Sequence, residues 1–107
     1  IDDNIAMEIL VLQRFEDWFG DLADAKAKDR VVSRLNRLRE GNPGDCAPVG
    51  DGLHELRIHY GPGYRVYFAY EDTRLVVIVG GGDKSGQQRD IRAAKAAWQA
   101  YTKERRP

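Results

Sequence analysis

Two segments with the strand period of two, Glu55-Leu56-Arg57-Ile58 and Tyr64-Arg65-Val66-Tyr67-Phe68, flank Gly61-Pro62-Gly63, and this restricts the chain to a fold built on an antiparallel hairpin. With the loop closed by Tyr60 opposite Tyr64, Ile58 faces Val66 and Leu56 faces Phe68 on one side of the sheet. On the other side Arg57 faces Tyr67 and His59 faces Arg65. An apolar strand, Leu75-Val76-Val77-Ile78-Val79, follows and runs into Gly80-Gly81-Gly82-Asp83-Lys84-Ser85. If that strand pairs with the second, Lys84 arrives at the end of the same sheet. Arg57, Arg65 and Lys84 then share one surface, with Glu55 as the carboxylate of the row, and the arrangement suits a phosphate.

The remaining elements follow from periodicity. Met7 to Leu12 is an apolar run of strand length, and Phe15, Trp18, Phe19 and Leu22 then recur at helical spacing. From Ala23 to Glu40 the set Ala27 or Val31, Leu35 and Leu38 marks a second amphipathic helix, stopped by Gly41-Asn42-Pro43-Gly44. Residues 41–52 are dense in turn formers and read as a loop against the rim of the sheet. Ile91, Ala94, Trp98 and Tyr101 predict a final helix, opened by Ser85 with Gln88 three residues on, a capping-box pattern. The expected fold is a small single-domain α+β protein, order β-α-α-β-β-β-α, with a mainly antiparallel sheet and the helices packed on one face. Residues 1–6 read as an expression remnant or disordered start, 7–102 as the domain, and 103–107 as a frayed basic tail.

Composition narrows the function. At 107 residues there is room for one core only, and no apolar run approaches the roughly 20 residues that span a bilayer, so a cytoplasmic protein without a membrane role is expected. The single cysteine, Cys46, and the two histidines, His54 and His59, stand without partners at metal-ligand spacing, so neither a metal nor another cofactor is expected. Lys plus Arg, at 17, equals Asp plus Glu, at 17, which argues against whole-surface attraction to nucleic acid and leaves local contact. Twelve of the 17 cations are arginine, which favours bidentate phosphate contact. The Gly80–Ser85 segment is not a nucleoside-triphosphate loop, because Asp83 stands where that motif needs glycine before Lys-Ser.

Each candidate has an ordinary reading beside the functional one. Arg30, Arg34 and Arg37 form a stripe on the second helix that can be read as a nucleic-acid contact, yet such faces are mostly solvated and Asp24, Asp29 and Glu40 lie nearby. Tyr64 and Tyr67 offer rings to bases, or bury a ring and expose a hydroxyl. Ser85 opens a helix whose first amides favour an anion, or caps a connection. His59 takes part in proton transfer or is merely exposed, and Glu55 acts as a base or neutralises Arg57.

The ordered set Leu-Asn-Arg-Leu-Arg-Glu-Gly-Asn at 35–42, Glu-Leu-Arg-Ile at 55–58, Gly-Pro-Gly-Tyr-Arg-Val-Tyr-Phe at 61–68 and Gly-Gly-Asp-Lys-Ser at 81–85, with Gln88 and Asp90-Ile91, resembles the phage-derived, HigB-like addiction-module killer proteins of the RelE/ParE toxin superfamily. The resemblance runs from about Met7 to Tyr101. It implies the toxin of a type II toxin–antitoxin pair, neutralised by a small cognate antitoxin, with a toxin–antitoxin hetero-oligomer as the resting form. It further implies a metal-independent mRNA endoribonuclease, working with the ribosome in the bacterial cytoplasm, in which the ribose 2′-hydroxyl attacks the adjacent phosphate. By that resemblance Arg65 clamps the phosphate with Arg57, Lys84 stabilises the transition state or protonates the leaving oxygen, and Glu55 or His59 is the base. Tyr64, Tyr67 and Ser85 would bind RNA. RelE has Lys-x-Lys where this chain has Glu55-x-Arg57, and a catalytic tyrosine where it has Gln87-Gln88-Arg89-Asp90. The ParE branch poisons DNA gyrase instead, and an inert antitoxin-binding member is a third possibility.

Overall fold

The computed structural model describes residues 6–105. The reading of residues 1–5 as a remnant, and of 106–107 as part of a frayed tail, concerns positions outside this range. The elements run β1 (Glu8–Val11), α1 (Gln13–Asp21), α2 (Ala25–Arg39), β2 (Cys46–Gly50), β3 (Leu53–Ile58), β4 (Tyr64–Tyr70), β5 (Leu75–Asp83), a 3₁₀ turn (Lys84–Gly86) and α3 (Gln87–Arg105). The five strands form one sheet in the order β1-β5-β4-β3-β2, antiparallel except for the parallel pair β1 and β5. This is the expected α+β domain with one strand added.

The added strand is β2, which lies in the segment expected to be a loop. Pro48 is tolerated there because β2 is an edge strand, where a missing N–H breaks no inner ladder bond. β2 turns into β3 through Gly50, Asp51 and Gly52, all at positive φ, with a register shift between Pro48 and Gly50.

Three further expectations are corrected. In the central hairpin Ile58 pairs with Tyr64, Leu56 with Val66, Arg57 with Arg65 and Glu55 with Tyr67. The register is therefore two residues from the expected one, and His59 lies in the loop instead of opposite Arg65. A slip of two keeps every side chain on its face, so the division into apolar and polar rows stands. The helices do not share one face. Phe15 of α1 with Val31 and Leu38 of α2 pack on Leu56, Ile58, Val66, Phe68, Val76 and Ile78, whereas Ala94 of α3, flanked by Ile91 and Trp98, packs on Leu53, Tyr67, Ala69, Val77 and Val79. Lys103–Arg105 are the last residues of α3, not a frayed tail, and Arg105 Nη2 pairs with Glu71 Oε2 at 2.9 Å.

Local chemistry fixes the helices. Asp24 caps α2 by accepting from the amides of Lys26 (2.9 Å) and Ala27 (3.3 Å), and its other carboxylate oxygen accepts the Tyr60 hydroxyl at 2.9 Å. That last bond holds the Asp24 carboxyl below the usual carboxylate range. The turn after β5 is capped by Asp83, not by the expected Ser85: Asp83 Oδ1 accepts the Ser85 amide at 2.9 Å and its hydroxyl at 2.5 Å.

The glycine run at the end of β5 serves the fold. A Cβ on Gly81 would stand 2.3 Å from the Trp18 ring, and one on Gly82 would stand 2.0 Å from Asp90 Oδ2. A carboxylate can swing aside; a packed indole cannot. Gly81→Ala is therefore expected to lower stability by about 2–3 kcal/mol and to displace Trp18 toward water. An urea midpoint and tryptophan emission both equal to wild type would contradict it.

Candidate functional site

On the α3 side of the hairpin the register sets two guanidinium groups, those of Arg57 and Arg65, directly across from each other. Like charges so placed repel, and the sheet answers with Glu55. Its carboxylate is 1% exposed, with Oε2 accepting from Arg57 Nε at 3.2 Å and Oε1 lying 3.4 Å from Arg65 Nε. Gln87, the first residue of α3, donates its amide to the same Oε1 at 2.6 Å. One buried carboxylate thus holds both arginines and the start of α3. Arg65 is 8% exposed, and its Nε has no hydrogen-bond partner among the described residues. The Arg57 side chain is 38% exposed and reaches the open end of the sheet.

The loops beyond the hairpin add a second pair. His59 Nε2 lies 2.5 Å from Asp45 Oδ2, and Asp45 Oδ1 lies 3.6 Å from Arg57 Nη1. The hydrogen bond with His59, helped by the charge of Arg57, holds the Asp45 carboxyl below the usual range. Asp45 is itself fixed by backbone: its carbonyl accepts from the Arg57 amide at 2.9 Å and from Arg34 Nη2 at 3.2 Å. Arg34 also bonds the carbonyls of Pro43 and Arg57. One member of the supposedly solvated stripe on α2 is therefore the clamp that ties the 41–45 segment to β3. Arg30, from the same helix, lies over the Tyr60 ring at 4.6 Å, and Tyr60 is anchored at its hydroxyl by Asp24.

The result is an open cleft of about 390 Å³ lined by His59, Tyr60, Gly61, Pro62, Gly63, Arg65 and Lys84. Of the expected site residues, Arg65, Lys84 and His59 meet in this cleft, and Arg57 and Glu55 join it through the ion-pair network. The remaining three stand differently. Tyr67 is fully buried beneath α3, so its ring is closed to base stacking. Its hydroxyl has no partner among the described residues, and burial, with the Glu55 charge nearby, pushes the phenol well above its ordinary value. Tyr64 is half-buried on the opposite face, edge-on to Trp18 at 6.2 Å. Ser85 is exposed, but its hydroxyl is committed to Asp83.

Sequence reasoning missed Asp45, Gln87 and the structural role of Arg34. Nothing in local spacing pairs Asp45 with His59 across 14 positions. Gln87 stood in view as the residue group lacking a tyrosine, without a signal that it would face Glu55. Among the described residues, no three His, Cys, Asp or Glu side chains converge as metal ligands.

Chemically, the cleft joins fixed cations to an exposed imidazole oriented by a carboxylate. Such a set can bind a phosphodiester, move a proton, and stabilise negative charge that builds on phosphoryl oxygens.

Residues 17–102 match the family described as Phage derived protein Gp49-like (DUF891). A Haemophilus influenzae protein described as uncharacterized is 42% identical over 91 residues, which cover 85% of this chain and 92% of that protein. Among solved structures, a double arginine-to-alanine mutant of Escherichia coli toxin RelE in the free state aligns with a TM-score of 0.67 at 13% identity, over 85% of this chain and 97% of that one.

Proposed function

The chain belongs to the Gp49-like phage-derived family, with the fold of the RelE-like toxin superfamily, and from that premise we propose that it is the toxin of a type II toxin–antitoxin pair, acting as a metal-independent mRNA endoribonuclease. The observation that carries this reading is the opposed Arg57–Arg65 pair, held by a buried Glu55 beside a cleft that also contains His59 and Lys84.

The reaction is an internal phosphoryl transfer. The ribose 2′-oxygen attacks the adjacent phosphorus, the bond from phosphorus to the 5′-oxygen breaks, and the products are a 2′,3′-cyclic phosphate and a free 5′-hydroxyl. His59 takes the 2′-hydroxyl proton, with Asp45 setting the orientation of the ring. Glu55 is a poor base by comparison, because it is buried and both its oxygens are engaged; its part is to hold the arginines. Arg65 and Arg57 neutralise charge building on the phosphoryl oxygens, and Lys84 delivers a proton to the leaving 5′-oxygen. No atom is left over: one proton is taken up and one is given.

A protein of net charge zero has little long-range hold on free RNA, which favours a message already held in place by the ribosome. The working location is then the bacterial cytoplasm, and a cognate antitoxin is the resting partner. The test is primer extension on a defined message in a translation extract, beside the same message without ribosomes. Discrete cuts with cyclic-phosphate ends are expected, stronger with ribosomes. Intact RNA during growth arrest would overturn the reading and direct attention to a protein target such as gyrase.

A further inference from the structure

Lys84 borders two clefts. On its α3 side lies a second depression, of about 480 Å³, lined by Lys84, Ser85, Gly86, Gln87, Gln88, Arg89 and Arg92. Lys84, Arg89 and Arg92 are all exposed, so three cations stand along one short path. The carboxylates of this segment do not cancel them evenly. Asp83 caps the amide and hydroxyl of Ser85, and its charge also reaches Arg89, leaving Lys84 and Arg92 without a carboxylate partner among the described residues. Asp90 has a 13% exposed side chain, tucked against Gly82 and 3.6 Å from Arg89 Nε. The floor is glycine and the carboxamides of Gln87 and Gln88, with no apolar side chain among the lining residues. An apolar peptide has nothing to bury there; a polyanion with hydrogen-bonding groups does.

We infer that Arg89 and Arg92 continue the phosphate site past Lys84 as a second track, which takes the phosphodiester backbone of RNA flanking the cleaved position. The inference rests on the ribonuclease reading and deepens it. Arginine forks suit phosphate oxygens, and the exposed Gln88 carboxamide suits base edges while the Gln87 amide stays committed to Glu55, so the track adds affinity and register without touching the reacting atoms.

The test uses fully 2′-O-methylated RNA, which lacks the nucleophile and so binds without being cut, as a tetramer and as a dodecamer. Affinities are measured by fluorescence anisotropy for wild type, for Arg89→Ala/Arg92→Ala, and for Lys26→Ala/Arg37→Ala, which removes the same charge from the exposed surface of α2. The track predicts that the first double variant loses about tenfold or more in dodecamer affinity with little change for the tetramer. It also predicts that the slope of log affinity against log salt falls by roughly 1.4 for two lost single-strand contacts. A parallel pelleting assay with vacant ribosomes separates the sources. A loss seen with ribosomes alone assigns the same backbone site to ribosomal RNA. Equal losses at both lengths, or a loss no larger than that of the α2 control, overturn the track while leaving cleavage by wild type intact. A loss confined to antitoxin affinity overturns it in favour of an acidic protein segment. Wild type that neither binds nor cuts RNA removes the ribonuclease reading itself and the track with it.

Discussion

Arg65→Ala is expected to lower the single-turnover rate of RNA cleavage by about 10²–10³-fold, the loss typical of removing one preorganised donor to a transition-state oxyanion. Arg65 is suited to that role because its position is overdetermined. It emerges from a central strand, it is 8% exposed, and it lies 3.4 Å from a buried carboxylate that Arg57 and Gln87 also hold. Removing it does not strand Glu55, which keeps Arg57 and Gln87, so the variant should fold and bind antitoxin as wild type does. Arg65→Lys should recover only part of the rate, since an ammonium keeps the charge but loses the planar fork. Primer extension on the three proteins decides it. Full cleavage by the alanine variant would place the phosphate elsewhere.

The second large effect concerns stability. Glu55→Gln keeps the shape of the side chain and removes its charge, leaving two guanidinium groups facing each other across the strands. Breaking a buried ion pair from one side costs about 3–5 kcal/mol. The Arg57 side chain is 38% exposed and its share is screened by solvent, so the expected loss is about 2–4 kcal/mol, borne mainly at Arg65. Urea unfolding should show a lower midpoint at unchanged slope, partly recovered by salt that screens the repulsion. A midpoint within the error of wild type would mean that the carboxylate does not hold the pair. Because Glu55 also receives Gln87, the cleavage rate should fall in the same variant even under conditions where it is fully folded.

The amphipathic pattern made much of this architecture readable from residues alone. Alternation in 55–58 and 64–68 separates Leu56, Ile58, Val66 and Phe68 from Glu55, Arg57 and Arg65, and the structure keeps that separation. What alternation cannot specify is a register slip of two, which leaves both faces unchanged and is decided by the length of the His59–Gly63 loop. β2 was hidden because Pro48 and flanking glycines have the composition of a turn, and only its place at the sheet edge makes a strand of them. The position of α3 was hidden for another reason. The polar row occupies only the hairpin end of its face; farther along, Leu53, Ala69, Val77 and Val79 make the same face apolar, and α3 covers that half. The cations and Glu55 were visible in sequence, and the groups that complete their network, Asp45 beside His59 and Gln87 on Glu55, were not, because those contacts join segments 14 and 32 positions apart.

The glycines of β5 also bear on how the chain avoids its own copies. β1 pairs with β5 only from Leu75 to Ile78, yet β5 continues to Asp83, so its last stretch has a strand neighbour on one side only. An exposed strand edge invites pairing with another molecule. Here the chain leaves β1 after the Leu12 amide bonds the Ile78 carbonyl and turns at once into α1, which places Arg14 against Gly80 and the Trp18 ring against Gly81. The helix stands where a longer β1 would have been. At Gly81 packing that close is possible only without a side chain, so this glycine lets α1 guard the sheet against edge-to-edge aggregation.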